Sequence, residues 1–177
     1  MPTPHRTRWA HVLSWACRSE RVSGAPDPRS RTPSAPARPG ETILHATTVA
    51  VAGRAALIRG AAGRGKSGLA LQLIALGAEL VADDRTRLWR RGEEVMTDAP
   101  PAIRGRIEAR GVGLMRCPAS GPVPLRLIVD MDHDEPERLP PMREEALLGV
   151  TFPVTRKAAQ AHFPAAILLY LRYGRSD

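Results

Sequence analysis

The chain has 177 residues, 43% of them apolar, with 26 basic and 18 acidic residues and a formal net charge of +8. That length fits one globular domain. It holds no apolar run long enough for a secretory signal or a spanning helix, and its two isolated cysteines, Cys17 and Cys117, form neither a disulfide framework nor a metal spacing.

The charge is unevenly placed. Residues 1–40 hold 7 of the 17 prolines and a net charge of +5, whereas residues 41–177 carry a net of only +3. The first segment reads as a disordered Arg/Pro-rich extension or as translation upstream of the true start; its arginine-rich beginning also has the character of a transit peptide. The rest, 41–177, reads as one folded domain whose mild charge argues against nucleic acid as a partner. No membrane association is expected, and the sparse cysteines fit a reducing, cytoplasmic setting.

Residues 43–51 are rich in β-branched side chains and predict a strand, Gly53-Arg54 a tight turn, and Ala55–Arg59 a second strand closing a hairpin. Next comes Gly60-Ala61-Ala62-Gly63-Arg64-Gly65-Lys66-Ser67, a complete G-x-x-x-x-G-K-[ST] phosphate-binding loop between a strand and a helix. Successive backbone N–H groups in such a loop form an anion nest, and the following helix adds the positive end of its dipole. Lys66 is expected on the outer phosphates and the Ser67 hydroxyl on Mg²⁺. Lys66 and Lys157 are the only lysines, so a composition that nearly excludes lysine keeps one where a nucleotide phosphate would sit.

Residues 68–76 predict a helix with Leu69, Leu73 and Leu76 on one face, stopped by Gly77. Residues 79–82 predict a strand ending in Asp83-Asp84. Residues 87–90 and 94–96 predict a hairpin, Ala99-Pro100-Pro101 a break, and 107–114 an extended segment. Residues 125–130 predict a buried strand, 132–141 a loop, 149–154 a last strand, and 157–171 a closing helix with a kink or restart at Pro164. Strands outnumber helices. The expected fold is therefore an α/β P-loop nucleotide-binding domain with a mixed sheet.

The chain contains no asparagine, which excludes the guanine-reading N-K-x-D motif and the H-R-D-x-x-x-x-N loop of eukaryotic-type protein kinases. A P-loop phosphotransferase needs an acid near its metal, and Asp83-Asp84 and Asp130 both end apolar runs. Asp83-Asp84 is the stronger candidate, because a strand leaving the P-loop helix tends to run beside the P-loop strand. Of two adjacent acids, one can serve a metal through water while the other takes a hydroxyl proton.

His45-Ala46, Gly60–Ser67, Leu80-Val81-Ala82-Asp83-Asp84 and Ile107-Glu108-Ala109-Arg110-Gly111-Val112-Gly113-Leu114 together resemble the catalytic domain of HPr kinase/phosphorylase, over about residues 43–157. The resemblance implies a phosphoenolpyruvate carboxykinase-like fold and an ATP- and Mg²⁺-dependent kinase acting on a serine of the phosphocarrier HPr. It also implies phosphorolysis of phosphoserine-HPr as the reverse reaction, and hexamers. Nothing before residue 41 matches the family's amino-terminal domain, so a short single-domain form is expected.

By that resemblance Asp84 is the proton acceptor, Asp83 supports the metal or orients Asp84, and Lys66 stabilises the transferring phosphoryl group. Glu108 joins Ser67 at Mg²⁺, His45 is an active-site histidine, and Arg138 matches a catalytic arginine. Arg64 is left open between phosphate and solvent. Two departures stand out. Gly68 replaces an acid, and Pro153-Val154-Thr155-Arg156-Lys157-Ala158 lacks the second proline and the glycine of the family's carboxy-terminal segment, which puts the reverse reaction in question. The alternatives are a kinase of another protein or a small molecule on the same scaffold, and a nucleotide sensor without catalysis.

Overall fold

The computed structural model describes residues 40–176. The expected extension over residues 1–40 lies outside the described residues apart from Gly40. Eleven strands and two helices follow in order: β1 (Glu41–Leu44), β2 (Ala46–Val51), β3 (Arg54–Arg59), α1 (Lys66–Ala75), β4 (Glu79–Ala82), β5 (Thr86–Arg91), β6 (Glu94–Asp98), β7 (Arg106–Ala109), β8 (Gly113–Arg116), β9 (Val123–Asp134), β10 (Glu144–Leu147), β11 (Val150–Lys157) and α2 (Phe163–Tyr173). Nine strands form one mixed sheet in the order β1-β5-β6-β9-β3-β2-β4, with β11 added in parallel on β9 and β10 on β11. β7 and β8 form a separate two-stranded hairpin.

β3 is buried on both faces, which is why it reads as an unbroken apolar run. Ala56 and Ile58 face α1 and α2, packing with Leu69, Leu73, Ile167 and Leu171. Leu57 faces the other way, against Leu88, Leu125, Ile128 and Phe152. Gly68 inside α1 costs the helix about 1 kcal/mol relative to alanine. Burial of Leu69 and Leu73 outweighs it, at about 1.5–3 kcal/mol each. The β2–β3 hairpin forms as expected, but its turn is Ala52-Gly53 and not Gly53-Arg54: both turn residues have positive φ (51° and 70°), the geometry that suits the right-handed twist of the strands, and Arg54 already pairs with Val51.

The structure corrects several boundaries. The strand expected over 43–51 is two strands broken by a bend at His45: β1 pairs with β5, while β2 pairs with β3 and β4. β4 does not lie beside the P-loop strand. It pairs antiparallel with β2, so β2 separates it from β3, yet both end at the same edge of the sheet. The segment 107–114 is not one extended piece but a hairpin turning at Arg110–Val112. β9 runs to Asp134, into what reads as an acidic loop, because its main chain pairs with β3 and β11 whatever its side chains. β11 likewise extends to Lys157, so the closing helix starts at Phe163 with Pro164 in its first turn, where its missing N–H costs nothing.

Candidate active site

α1 begins without the usual Ser, Thr, Asp or Asn cap. Its N-cap is Gly65 in the left-handed region (φ 94°), no side chain caps it, and no acid occupies its first turn. A helix start left in this state offers its free N–H groups and dipole to an external anion.

The loop before it divides into two parts. Gly60 packs against β9: a Cβ there would lie 3.1 Å from Met131 Cβ and 3.2 Å from Asp132 Oδ1, at φ 145°. The Ala61 N–H donates to Asp132 Oδ1 (2.9 Å). Arg64 donates from Nε to the Met131 carbonyl oxygen (3.1 Å) and from its guanidinium to that of Asp132. Its side chain therefore buttresses the loop on β9. The other part, with Ala62, Gly63, Gly65, Lys66 and Ser67, lines a cavity of about 510 Å³.

Lys66 is buried, and its Nζ donates to the carbonyl oxygens of Gly60 (2.8 Å) and Ala61 (3.2 Å) and to His45 Nε2 (3.2 Å). On the other side of the imidazole, Nδ1 lies 2.9 Å from Asp84 Oδ1 and 3.1 Å from the Asp84 carbonyl oxygen. An ammonium can only donate and both Asp84 atoms can only accept. The partners thus assign the tautomer with hydrogen on Nδ1, so His45 links the phosphate lysine to Asp84. Asp84 takes φ 65° in the kink between β4 and β5, opposite the bend at His45, where the Arg85 N–H bonds back to the Asp83 carbonyl oxygen (2.8 Å). Aspartate tolerates that conformation better than most residues.

Asp83 is placed differently from its neighbour. It is buried, and its Oδ1 accepts from Thr47 Oγ1 and Ser67 Oγ, both at 2.8 Å, while Oδ2 accepts from the Glu108 N–H (3.1 Å). One carboxylate thus ties β2, α1 and β7 together. Glu108 and both aspartates line the same cavity as Ser67. These hard oxygen donors suit Mg²⁺. Among the described residues no cluster of three or more His, Cys, Asp or Glu is close enough to hold a metal alone. Mg²⁺ bound through one or two carboxylates, waters and substrate phosphates does not require one.

Residues 39–120 match the family model described as the HPr Serine kinase C-terminal domain. An HPr kinase/phosphorylase from Azoarcus sp. is 33% identical over 140 residues, covering 71% of this chain and 45% of the relative. One from Alkaliphilus metalliredigens is 44% identical over 73 residues, covering 41% and 24%. The solved structure of the Hpr(Ser) kinase/phosphatase from Coxiella burnetii superposes with a TM-score of 0.63 at 26% identity, over 74% of this chain and 94% of that one. Residues 39–120 of the chain are those of an HPr Serine kinase C-terminal domain.

The fold is accordingly that of the family's carboxy-terminal domain, a P-loop domain with a curled mixed sheet. The chain spans less than half the length of these curated HPr kinase/phosphorylases. Most of the residues that the family resemblance singles out converge here: His45, Lys66, Ser67, Asp83, Asp84 and Glu108 share one cavity. Arg138 does not. It is exposed in the segment after β9 and does not line the cavity.

Arg106 and Arg110 line it instead, which the sequence reading missed. Their signal was present. Arg106 shares the strand face of Glu108, opposite the buried Ile107, and Arg110 follows at the start of the turn. Thr47, the buried donor to Asp83, carries no such signal.

Asp130, the other candidate acid, lies outside the cavity in a separate cluster. Arg59 approaches it at 3.6 Å while pairing through both guanidinium nitrogens with Glu145, and His133 Nδ1 lies 3.0 Å away. Burial works against its charge, but the Asp132 N–H, His133 and Arg59 together hold the Asp130 carboxyl below the usual carboxylate range. A folded-state value below the unfolded one gives stability that is complete above the ordinary carboxylate range and is lost as pH falls through the depressed value. Asp130→Asn is therefore expected to flatten the acid limb of a stability–pH curve while leaving nucleotide binding unchanged; an unaltered acid limb would contradict the pairing.

Proposed function

We propose that the domain is an ATP-dependent serine kinase of the phosphocarrier protein HPr, working in the cytoplasm with Mg²⁺. The reading is carried by the chain Lys66–His45–Asp84, which sets a carboxylate one imidazole away from the phosphate-binding lysine and beside a metal-suited set of oxygens. Bound Mg²⁺ would supply charge neutralisation on the phosphate oxygens. Ser67 and Glu108 are the residues to hold it, with Asp83 behind Ser67 fixing the hydroxyl.

The loop amides and Lys66 bind and orient the phosphates. The substrate serine enters from the open side of the cavity, and Asp84, exposed there, accepts its proton as the hydroxyl oxygen bonds to the terminal phosphorus and the bond to the ADP oxygen breaks. His45 keeps Asp84 aimed. Arg106 and Arg110 lie on the same wall and add positive charge where the acceptor or the transferring group would stand. Run backwards, inorganic phosphate attacks the phosphoserine phosphorus and Asp84 returns the proton to the serine oxygen, which regenerates serine and releases pyrophosphate.

The deciding experiment is label transfer from γ-labelled ATP to purified HPr with Mg²⁺, using wild type and Lys66→Met. Transfer by the wild type that falls by about 10²-fold or more in the variant is expected. A protein that binds ATP but labels no HPr would sink the assignment. Label on a different protein or a metabolite would redirect it to the same chemistry on another acceptor. Adding phosphate to phosphoserine-HPr tests the reverse reaction, for which the altered 153–158 segment gives the weaker expectation.

A further inference from the structure

Lys66 is held by the loop it serves. An ammonium has three N–H groups, and this one meets three acceptors: the Gly60 and Ala61 carbonyl oxygens at 2.8 and 3.2 Å, and His45 Nε2 at 3.2 Å. A long, flexible side chain is thereby fixed in one direction, and a phosphate oxygen can take the place of one acceptor while the others keep the aim. That aim is only as firm as the carbonyls that set it.

The Gly60 carbonyl and the Ala61 N–H belong to one peptide unit. The unit is planar and trans, so the two groups point to opposite edges. One edge meets Lys66. The other meets Asp132, whose Oδ1 accepts from the Ala61 N–H at 2.9 Å. Turning the unit would break both bonds at once. Gly60, at φ 145°, has the conformational freedom to let it turn, so the restraint must come from outside the loop. Asp132 is itself fixed from behind: its N–H donates to Asp130 Oδ1 (2.9 Å), and β9 is paired with β3 as far as Asp130. A carboxylate beside a phosphate loop works against the anion the loop is built to hold. Arg64 offsets it, with Nε 3.4 Å from Asp132 Oδ1 and its guanidinium donating to the Asp132 carbonyl oxygen. The loop therefore carries the partner that neutralises its own anchor.

We propose that Asp132 is a positioning residue for Lys66, acting through the Gly60–Ala61 peptide: it holds the N–H edge so that the carbonyl edge aims the ammonium. The inference rests on the reading of the loop as a phosphate site. The chain has only two lysines, so amine acylation of the full chain, followed by mass spectrometry, reports Lys66 with Lys157 as a control in the same molecule. Calorimetry with inorganic tripolyphosphate reports the loop itself. In wild type the buried Lys66 is expected to react more slowly than the more exposed Lys157, and tripolyphosphate to bind. Asp132→Ala is expected to speed acylation of Lys66 about tenfold, to leave Lys157 within about twofold, and to weaken tripolyphosphate about tenfold. Asp132→Asn keeps an oxygen for the Ala61 N–H and is expected to bring both Lys66 acylation and tripolyphosphate affinity back to within about threefold of wild type. Lys66 reacting at the wild-type rate in Asp132→Ala, both lysines accelerating together, or an Asn variant that behaves like the Ala variant would overturn the positioning role while leaving the phosphate loop intact. Wild type that does not bind tripolyphosphate would overturn the loop reading, and the positioning role with it.

Discussion

Asp83→Ala is expected to cost stability and phosphoryl transfer together. The carboxylate accepts from two hydroxyls and one backbone N–H, and Thr47 is fully buried, so its hydroxyl has no water to turn to. Leaving one buried donor unpaired costs about 1–3 kcal/mol. The Glu108 N–H and Ser67 are nearer solvent and recover part of their loss, which puts the whole at about 3 kcal/mol. For a domain of this size that is a fall in melting temperature of about 10 °C. Metal affinity should fall by about 10–100-fold, because the group that orients the Ser67 hydroxyl is gone.

Asp83→Asn discriminates further. Its amide oxygen can still accept from Thr47 and Ser67, but its NH₂ would then face the Glu108 N–H, donor against donor. A smaller loss of stability with a comparable loss of Mg²⁺-dependent transfer is expected. Thermal unfolding and a Mg²⁺ titration of the transfer rate check both variants. An Asp83→Ala protein with wild-type melting and wild-type Mg²⁺ dependence would remove Asp83 from both roles.

The dual burden on Asp83 marks where the sequence stops being legible. The loop, its lysine and the acid pair could be read because their chemistry is local: eight consecutive residues define the nest, and an apolar run ending in Asp83-Asp84 announces a strand end. The strand-rich mixed sheet was readable from β-branched runs and turn residues. Beyond the two hairpins, which strands neighbour one another was not, since β4 pairing with β2 and not with β3 has no local signature. For the same reason Thr47, 36 positions from Asp83, could not be found as its partner.

The break at His45 was hidden because Leu44 and Ala46 are both ordinary strand residues; only the divergence of β1 to β5 and β2 to β3 bends the chain there. That bend exposes the imidazole between Lys66 and Asp84. β9 was under-read in the opposite sense. Asp132, His133 and Asp134 look like loop, yet the main chain keeps its pairing, and the Asp132 side chain then anchors the phosphate loop at Ala61.

Asp84 yields the cleanest separation of chemistry from architecture. Its side chain is 67% exposed and among the described residues bonds only to His45, so removing the charge should leave the fold and the loop unharmed. Its backbone is the complication. At φ 65° alanine pays about 1 kcal/mol or more that asparagine, at home in that conformation, largely avoids. Asp84→Ala and Asp84→Asn are both expected to lower transfer by about 10²–10⁴-fold, with ATP affinity within about twofold of wild type, while only the alanine variant melts a few degrees lower. Asparagine also keeps an oxygen for the His45 Nδ1–H, so a loss of rate shared by the two variants cannot come from a misplaced imidazole. It must come from the missing proton acceptor. Equal losses of ATP binding and of transfer would argue the reverse, that Asp84 holds the nucleotide and does not take the proton.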